Sequence, residues 1–303
     1  MQLVFRPSIW LKLAMFVGVL VIFTSGVLIW ASYLFARDIL IDQIHARLTV
    51  TASDRQAMLL AYVRQQHERV ELVASGTRLR QLLGEHADGR MAEEAFHTAS
   101  RRILLDAQHN AGDFLAICIT DAQGIVVTAT DETYVGRDLA AEPGFVWGQH
   151  IAHLDLPRLR DGRYQTFLSA PALASDGRPL GVVLVVLELG DMQQLLADTT
   201  GLGQTGEVLV GTRRGDQLHY LLPPRRHPGL TAVPLSRVPA MAAAIQGQQG
   251  FIHTADYGGV EILVAYQPVR YQHWGLVAKI DAAEAYAPVE RLRFVLLALE
   301  AVM

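Results

Sequence analysis

Three groups of residues have types and spacings suited to chemistry. Gly201-x-Gly203-x-x-Gly206 formally satisfies the dinucleotide fingerprint. That fingerprint needs a strand before it and a helix after it, so that a pyrophosphate meets a helix amino terminus. Here a helical segment precedes and the strand-like Glu207 to Gly211 follows, so the glycines read as a tight entry into a sheet. His150 and His153 have spacing that places them on one helical face, with Asp155 nearby, but two histidines make an incomplete metal site and read more simply as solvent-facing polar residues. The third group is Asp131, Tyr134, Arg137, Trp147, Arg163 and Tyr164. Aromatic walls with arginines and a carboxylate suit a small polar metabolite, because apolar surface binds it and a few polar groups orient it. Trp147 and Tyr164 lead this set; the competing reading is that most of these residues only pack or face solvent.

Nothing in the chain assembles a nucleophile with its base. There is no Gly-x-Ser-x-Gly elbow, no His-Glu-x-x-His pair and no phosphate loop with a lysine. His219, His227, His253 and His273 are scattered without an orienting carboxylate pattern. The expectation is therefore no catalytic residue, no resident metal and no cofactor.

The elements that position the third group are bracketed by apolar runs. Leu13 to Phe35 carries no charge and would span about 34 Å as a helix, enough for a hydrocarbon core of roughly 30 Å. Trp10, Trp30 and Tyr33 lie near its ends, where aromatic rings favour the headgroup level. A cleaved signal peptide would have a shorter apolar core and an Ala-x-Ala-like site, and SYLFARD offers none. Arg6 and Lys12 precede the run while Arg37 is followed at once by Asp38, so residues 1–12 are expected in the cytoplasm, 13–35 in the membrane and Arg37 onward outside. A second apolar run, FVLLALEAVM, supplies only about 15 Å of helix. It is expected to be the start of a second span, with Arg291 and Arg293 snorkelling at its entrance and Glu300 near an interface; the rival is an amphipathic terminal helix packed on a soluble domain.

Composition is compatible with this arrangement. Hydrophobic residues are 51% of the chain and the net charge is −4, so no basic footprint for nucleic acid exists. Lysine occurs only at Lys12 and Lys279. The single cysteine, Cys118, excludes an intrachain disulfide framework and reads as a small core residue.

Between the brackets, Arg37 to about Ser75 lacks proline and glycine, and Ile41, Ile44, Leu48, Ala52, Leu59, Tyr62, Val70 and Val73 recur at helical spacing with a polar gap near Arg55. A long helix continuing the span is expected, then a second helix from Met91 to His109 that closes near Gly112. From Asp113 the period changes. FLAICITDAQGIVVTAT and YQTFLSAPALASDGRPLGVVLVVLEL each read as two strands about a turn, separated by the polar, aromatic stretch 131–163. Hairpin, short elements and hairpin is the order of a PAS-like sheet with a pocket-covering insertion. After a joining helix at Asp191 to Thr200 the pattern recurs, with turns at Arg214-Gly215-Asp216, Tyr257-Gly258-Gly259 and near Gln272, and a short helix at Pro239 to Gln246. Asp191 with Gln194, and Asp281 with Glu284, have capping-box spacing; Pro288 should bend the last helix or mark its start. The expected fold class is α+β: a membrane-anchored long helix followed by two tandem PAS-like modules with antiparallel sheets. The expected division is helices at 36–112, a first module at 113–190, a second at 191–281 and an exit helix at 282–303.

The second half resembles the double Cache (dCache) extracytoplasmic sensors of bacterial membrane receptors. The matching segments are Thr200 to Glu207, Asp256-Tyr257-Gly258-Gly259, and Trp274 to Asp281 followed by Glu284; the layout fits over about residues 36–293. The resemblance implies a bacterial inner-membrane protein with those residues in the periplasm and a ligand in the membrane-distal module. It also implies homodimers, whose flanking helices signal to a cytoplasmic histidine kinase, diguanylate cyclase or chemotaxis domain, histidine kinase first. Amino-acid-sensing members carry an arginine two positions before a tryptophan and an aspartate near the end of a later strand. Here Phe145 precedes Trp147 and the strand reads GVVLVVLEL, so that clamp is not expected; a small organic acid held by Arg163 or Arg137 is. The long helix, along Ile41, Ile44 and Leu48, is the expected dimer seam. The alternative is a membrane-anchored binding or interaction module with no output domain of its own.

Overall fold

The computed structural model describes residues 9–302. Arg6 with the rest of residues 1–8, Met303, and the side chain of Glu300 lie outside the described residues. Helix α1, Ile9–Ser75, is a single helix of 67 residues. Among the described residues it is the one helix long and apolar enough to cross a membrane, and none of its apolar window is buried. Farther along, Leu48, Ala52, Arg55, Leu59, Val63, Gln66, Val70 and Ala74 are buried. They recur every three or four residues and so form one stripe. The expected polar gap at Arg55 is part of that stripe: its guanidinium donates to the carboxylate and carbonyl of Asp198.

Helix α2, Thr77–Ala87, was not expected from the glycines at 76 and 84. Gly76 sits at its N-cap, and Gly84 lies inside it with open space around its Cα, so Leu79, Leu82 and Leu83 still reach the core. Helix α3, Glu93–Ala111, ends at Gly112, whose φ of +74° is the left-handed conformation that stops a helix.

The first module is an antiparallel sheet built from β1 (Phe114–Thr120), β2 (Val126–Ala129), β3 (His153–Leu154), β4 (Arg158–Arg160), β5 (Arg163–Leu173) and β6 (Pro179–Glu188), with the short helix α4 (Pro143–Gly148) in the covering segment. The strand order is β2-β1-β6-β5-β3, with β4 also on β5. After α5 (Gly190–Ala197) comes a second sheet of β7 (Glu207–Arg214), β8 (Gln217–Tyr220), β9 (Ala232–Pro234), β10 (Gly250–Ala255), β11 (Glu261–Val269) and β12 (Trp274–Asp281), with α6 (Pro239–Ile245) on it. Its order, β10-β11-β12-β7-β8-β9, reproduces the first module strand for strand, with β9 added at the edge. Helix α7, Ala282–Val302, starts directly after β12 and contains Pro288, so the proline does not mark its start.

Neither capping box forms. Leu189, not Asp191, caps α5, without a side-chain bond. The Glu284 carboxylate instead accepts from the Gln204 and Thr205 N–H groups. This holds the 201–206 loop, where Gly201 and Gly203 have φ of +83° and +80° and a Cβ on Gly206 would strike Leu202. The glycines are the backbone entry into β7.

The second module contains a buried ion cluster. Lys279 is 2% exposed, with Nζ 2.7 Å from Asp256 Oδ2, 3.1 Å from Glu207 Oε2 and 4.3 Å above the Tyr257 ring. The Tyr257 hydroxyl donates to Glu207 at 3.1 Å. Burial alone would raise the Asp256 pKa, but the bond and charge of Lys279 and the N–H groups of Val260 and Gly258 hold it below the ordinary carboxylate value. Lys279→Met leaves two buried carboxylates uncompensated and should cost about 3–5 kcal/mol of stability. Thermal unfolding in detergent micelles reads this; an unchanged Tm would remove the cluster from the list of supports. In the parent chain the Asp256 contribution is full above about pH 4 and is lost as pH falls through its depressed value.

Candidate ligand-binding site

The first sheet has two faces because β-strand side chains alternate. Tyr164, Leu168, Ala170 and Ala172 of β5 pack towards the α1 stripe. Phe167, with Ala116, Cys118, Val182, Leu184 and Val186, faces the covering segment and meets Tyr134, Leu139 and Phe145. Cys118 is a core residue there, and burial pushes its thiol up to about 12.

At the edge of this second face is a cavity of about 80 Å³, lined by Tyr134, Asp155, Arg158, Arg160, Gln165 and Phe167 among others. Asp155 follows β3, and its N–H donates to the Phe167 carbonyl at 2.9 Å. Its side chain is 8% exposed; Oδ1 lies 3.2 Å from His153 Nε2, while the buried Oδ2 has no hydrogen-bond partner. Gly144 of α4 leaves room for that oxygen, since a Cβ there would come within 3.1 Å of it. The opposite charge is close by. Arg160 donates to the Tyr134 hydroxyl at 3.2 Å and Arg158 to Glu142 at 3.1 Å. The cavity thus offers one carboxylate oxygen without a partner beside two guanidiniums, one of them paired with Glu142.

Of the six residues singled out in the sequence, only Tyr134 lines this cavity. Tyr164 is on β5 one residue out of phase, so it points to the α1 side. Arg163 is exposed and pairs with Glu188 at 3.2 Å. Arg137 donates to the Thr133 carbonyl and lies over the outer face of Tyr134, and Asp131 caps the turn at Glu132–Tyr134. Trp147 is exposed at the end of α4 and stacks on His153 outside the cavity. His150 and His153 do not share a helix, because α4 ends at Gly148 and His153 is in β3. Asp155, considered in the sequence only as a third metal ligand, is the central polar group. The legible signal was a carboxylate at the end of an apolar strand pair, next to Pro157.

From Asp155 a hydrogen-bond chain leaves the module. The Gln272 amide nitrogen is 2.8 Å from His153 Nδ1 and donates to the Tyr271 hydroxyl at 2.7 Å. Tyr271 also accepts from the Leu154 N–H at 3.0 Å and lies 3.0 Å from His67 Nε2 on α1. One proton arrangement satisfies every contact. Gln272 spends its two protons on His153 and Tyr271, His153 donates through Nε2 to Asp155, and Tyr271 donates to His67. Gln272 and His273 occupy the left-handed region, at φ of 45° and 55°, which strains non-glycine residues. Burial, with the nearby His153, lowers the His67 pKa and so favours the neutral ring, in which Nε2 can accept.

Tyr271→Phe removes the acceptor of a backbone N–H and should cost about 1–3 kcal/mol, read as a lowered Tm. His67, with its depressed folded pKa, contributes stability that is full above about pH 6.5 and lost as pH falls through the folded value. A stability curve flat from pH 8 to 5 would contradict the assigned donor direction.

Comparison with known proteins agrees with this architecture. No curated protein sequence matches the chain. Among solved structures, the ligand-binding domain of the Campylobacter jejuni chemoreceptor Tlp3 in complex with 4-methylisoleucine is 14% identical, covering 81% of this chain and 94% of that one, with a TM-score of 0.59. The extracellular domain of the putative histidine kinase mmHK1S-Z3 is 14% identical, covering 84% and 98%, with a TM-score of 0.55. The sensor domain of the V. cholerae histidine kinase DctB is 12% identical, covering 81% and 98%, with a TM-score of 0.53. The family model described as Cache domain, dCache_1, matches residues 36–289. A match over that share of the sequence establishes that the chain belongs to the dCache family of sensor domains.

Proposed function

We propose that this chain is the extracytoplasmic sensing region of a bacterial membrane receptor, and that its first module captures a small ligand carrying an ammonium group, an amino acid or a close analogue. The observation that carries this is the buried, unpartnered Oδ2 of Asp155. A buried carboxylate oxygen without a donor is costly, and an ammonium supplies both charge and hydrogen bonds. Arg160 then receives the ligand's carboxylate, with Arg158 able to join by leaving Glu142; Arg163 and Arg137 do not line the cavity. The Tlp3 domain bound to L-valine supports an amino-acid ligand.

The layout of α1 supports the membrane-distal position of this module. Ser53 and Gln56 contact the second module, at Gln267 and Pro268, whereas Gln66 and Arg69 contact Asp113 of the first. The second module therefore lies nearer the apolar run, which anchors the protein with residues beyond it in the periplasm. Ligand capture at Asp155 biases the chain through His153, Gln272 and Tyr271 to His67, and α1 and α7 convey the change to an output domain, a histidine kinase first. Binding shifts such an equilibrium only by its differential affinity for the two states. We assign the chain itself no catalytic step.

A homodimer seam on α1 must differ from Ile41, Ile44 and Leu48, because Leu48 is buried under the modules and Ile44 packs on the same core. Ile39, Val50, Met58 and Leu72 are exposed. At about 100° per residue they fall within a roughly 100° arc opposite the buried stripe. Single cysteines at these positions should crosslink in membranes; crosslinking only from buried-face positions would refute the seam.

The ligand test is calorimetric titration of the micelle-embedded chain with amino acids and their N-acetyl derivatives. N-Acetylation and Asp155→Asn should each weaken binding at least tenfold, and Arg160→Gln should weaken carboxylate-bearing ligands selectively. Equal affinity for free and N-acetylated forms would overturn the assignment.

A further inference from the structure

Between the modules lies a larger cleft of about 620 Å³, which adjoins the cavity above and shares Asp155 and Leu156 with it. Its two walls differ in chemistry. The first module contributes Trp147, 53% exposed, together with Ile151, Pro143 and Leu156. Across from them the second module contributes Arg213 and Arg214 at the end of β7, and Arg270 and His273 at the β11–β12 turn. Arg213 is partly neutralised, since it donates to the Gly215 carbonyl and lies 3.7 Å from Asp216. Arg214 and Arg270 have no carboxylate partner among the described residues, and both are exposed. The one acidic group lining the cleft, Asp155, is at its inner edge and bonded to His153. The size lies in the range of sites that enclose a small organic ligand.

An apolar, aromatic wall facing unpaired guanidiniums matches a ligand that is apolar at one end and anionic at the other. Guanidinium binds a carboxylate in a planar, bidentate way, and Trp147 provides a face for a ring to stack on. We infer that this cleft is a second ligand site, one that takes small aromatic carboxylates and clamps the two modules together when filled. It differs from the Asp155 cavity in being shared by both modules and in drawing its guanidiniums from the second. Its floor is formed by Tyr271 and Gln272, the residues that connect Asp155 with α1. Occupancy would therefore bear on the same turn from its other side.

The test is calorimetric titration of the nanodisc-embedded chain with indole-3-carboxylate, with empty nanodiscs as the blank. Saturable binding is expected, at least tenfold weaker for the uncharged indole-3-carboxamide, and weakening with added salt because the recognising charges are exposed. An Arg214→Gln/Arg270→Gln double variant should lose at least tenfold, as should Trp147→Ala, with Tm values close to the parent because all three side chains are exposed. The proposal fails if no saturable heat is seen, if carboxamide and carboxylate bind alike, or if the double variant binds as the parent does. It also fails if Arg160→Gln abolishes binding, which would place the carboxylate in the first-module cavity instead.

Discussion

The structure depends on one helix face serving two sheets. The buried stripe of α1, from Leu48 to Ala74, is the shared floor of both modules, and among the described residues no other element runs under both in this way. Apolar burial is non-directional and cannot by itself fix how two modules sit along a helix. The polar members of the stripe do so. Arg55 binds Asp198 just beyond the joining helix, while Gln66 and the neighbouring Arg69 bind Asp113 at the entry to the first sheet, Arg69 through two bonds of 2.6 and 2.8 Å. These charge-assisted bonds are short-ranged and directional, so each sheet has one register on the helix.

That arrangement turns α1 into a common reference for everything above it. The first module holds the half-partnered Asp155 carboxylate on the face turned away from α1, and the second module sends its β11–β12 turn up to meet both the first module and the helix. The strained conformation of Gln272 and His273 is the cost of that reach. Because every donor in the chain from Asp155 to His67 has a single acceptor, changing the charge at one end changes which bonds the other end can make. A contiguous network of this kind is a physical route for coupling, though it becomes a switch only if the turn has two arrangements.

The second module uses the same strand order to a different end. Its equivalent space beneath α6 is about 30 Å³, lined by Met241 and Tyr220, and closed around the Lys279 cluster. Here the protein's own Lys279 supplies an ammonium to the buried carboxylates. One fold thus appears twice, with an internal ion cluster beside this space in the second module and Asp155 beside its counterpart in the first.

Periodicity and turn chemistry made most of this fold legible. The apolar run, the helical spacing to Ser75, the hairpins about Asp121–Gly124 and Ser175–Gly177, and the glycines at 201 and 203 all encode local geometry, which neighbouring residues determine. The resemblance carried by Trp274 to Asp281 and the 200–207 loop extended this to the family. The site was much less legible. Arginines and aromatics near the covering segment had the right chemistry, but Tyr164 and Arg163 miss the cavity by strand phase and by pairing with Glu188. Leu48 looked like a dimer seam until the sheets covered it. Asp155 stands out only because one of its oxygens is buried without a donor, and that depends on what Phe167, Gly144 and His153 place around it in the fold. Sequence fixes what each residue prefers locally; only tertiary packing decides which charges are left unmatched.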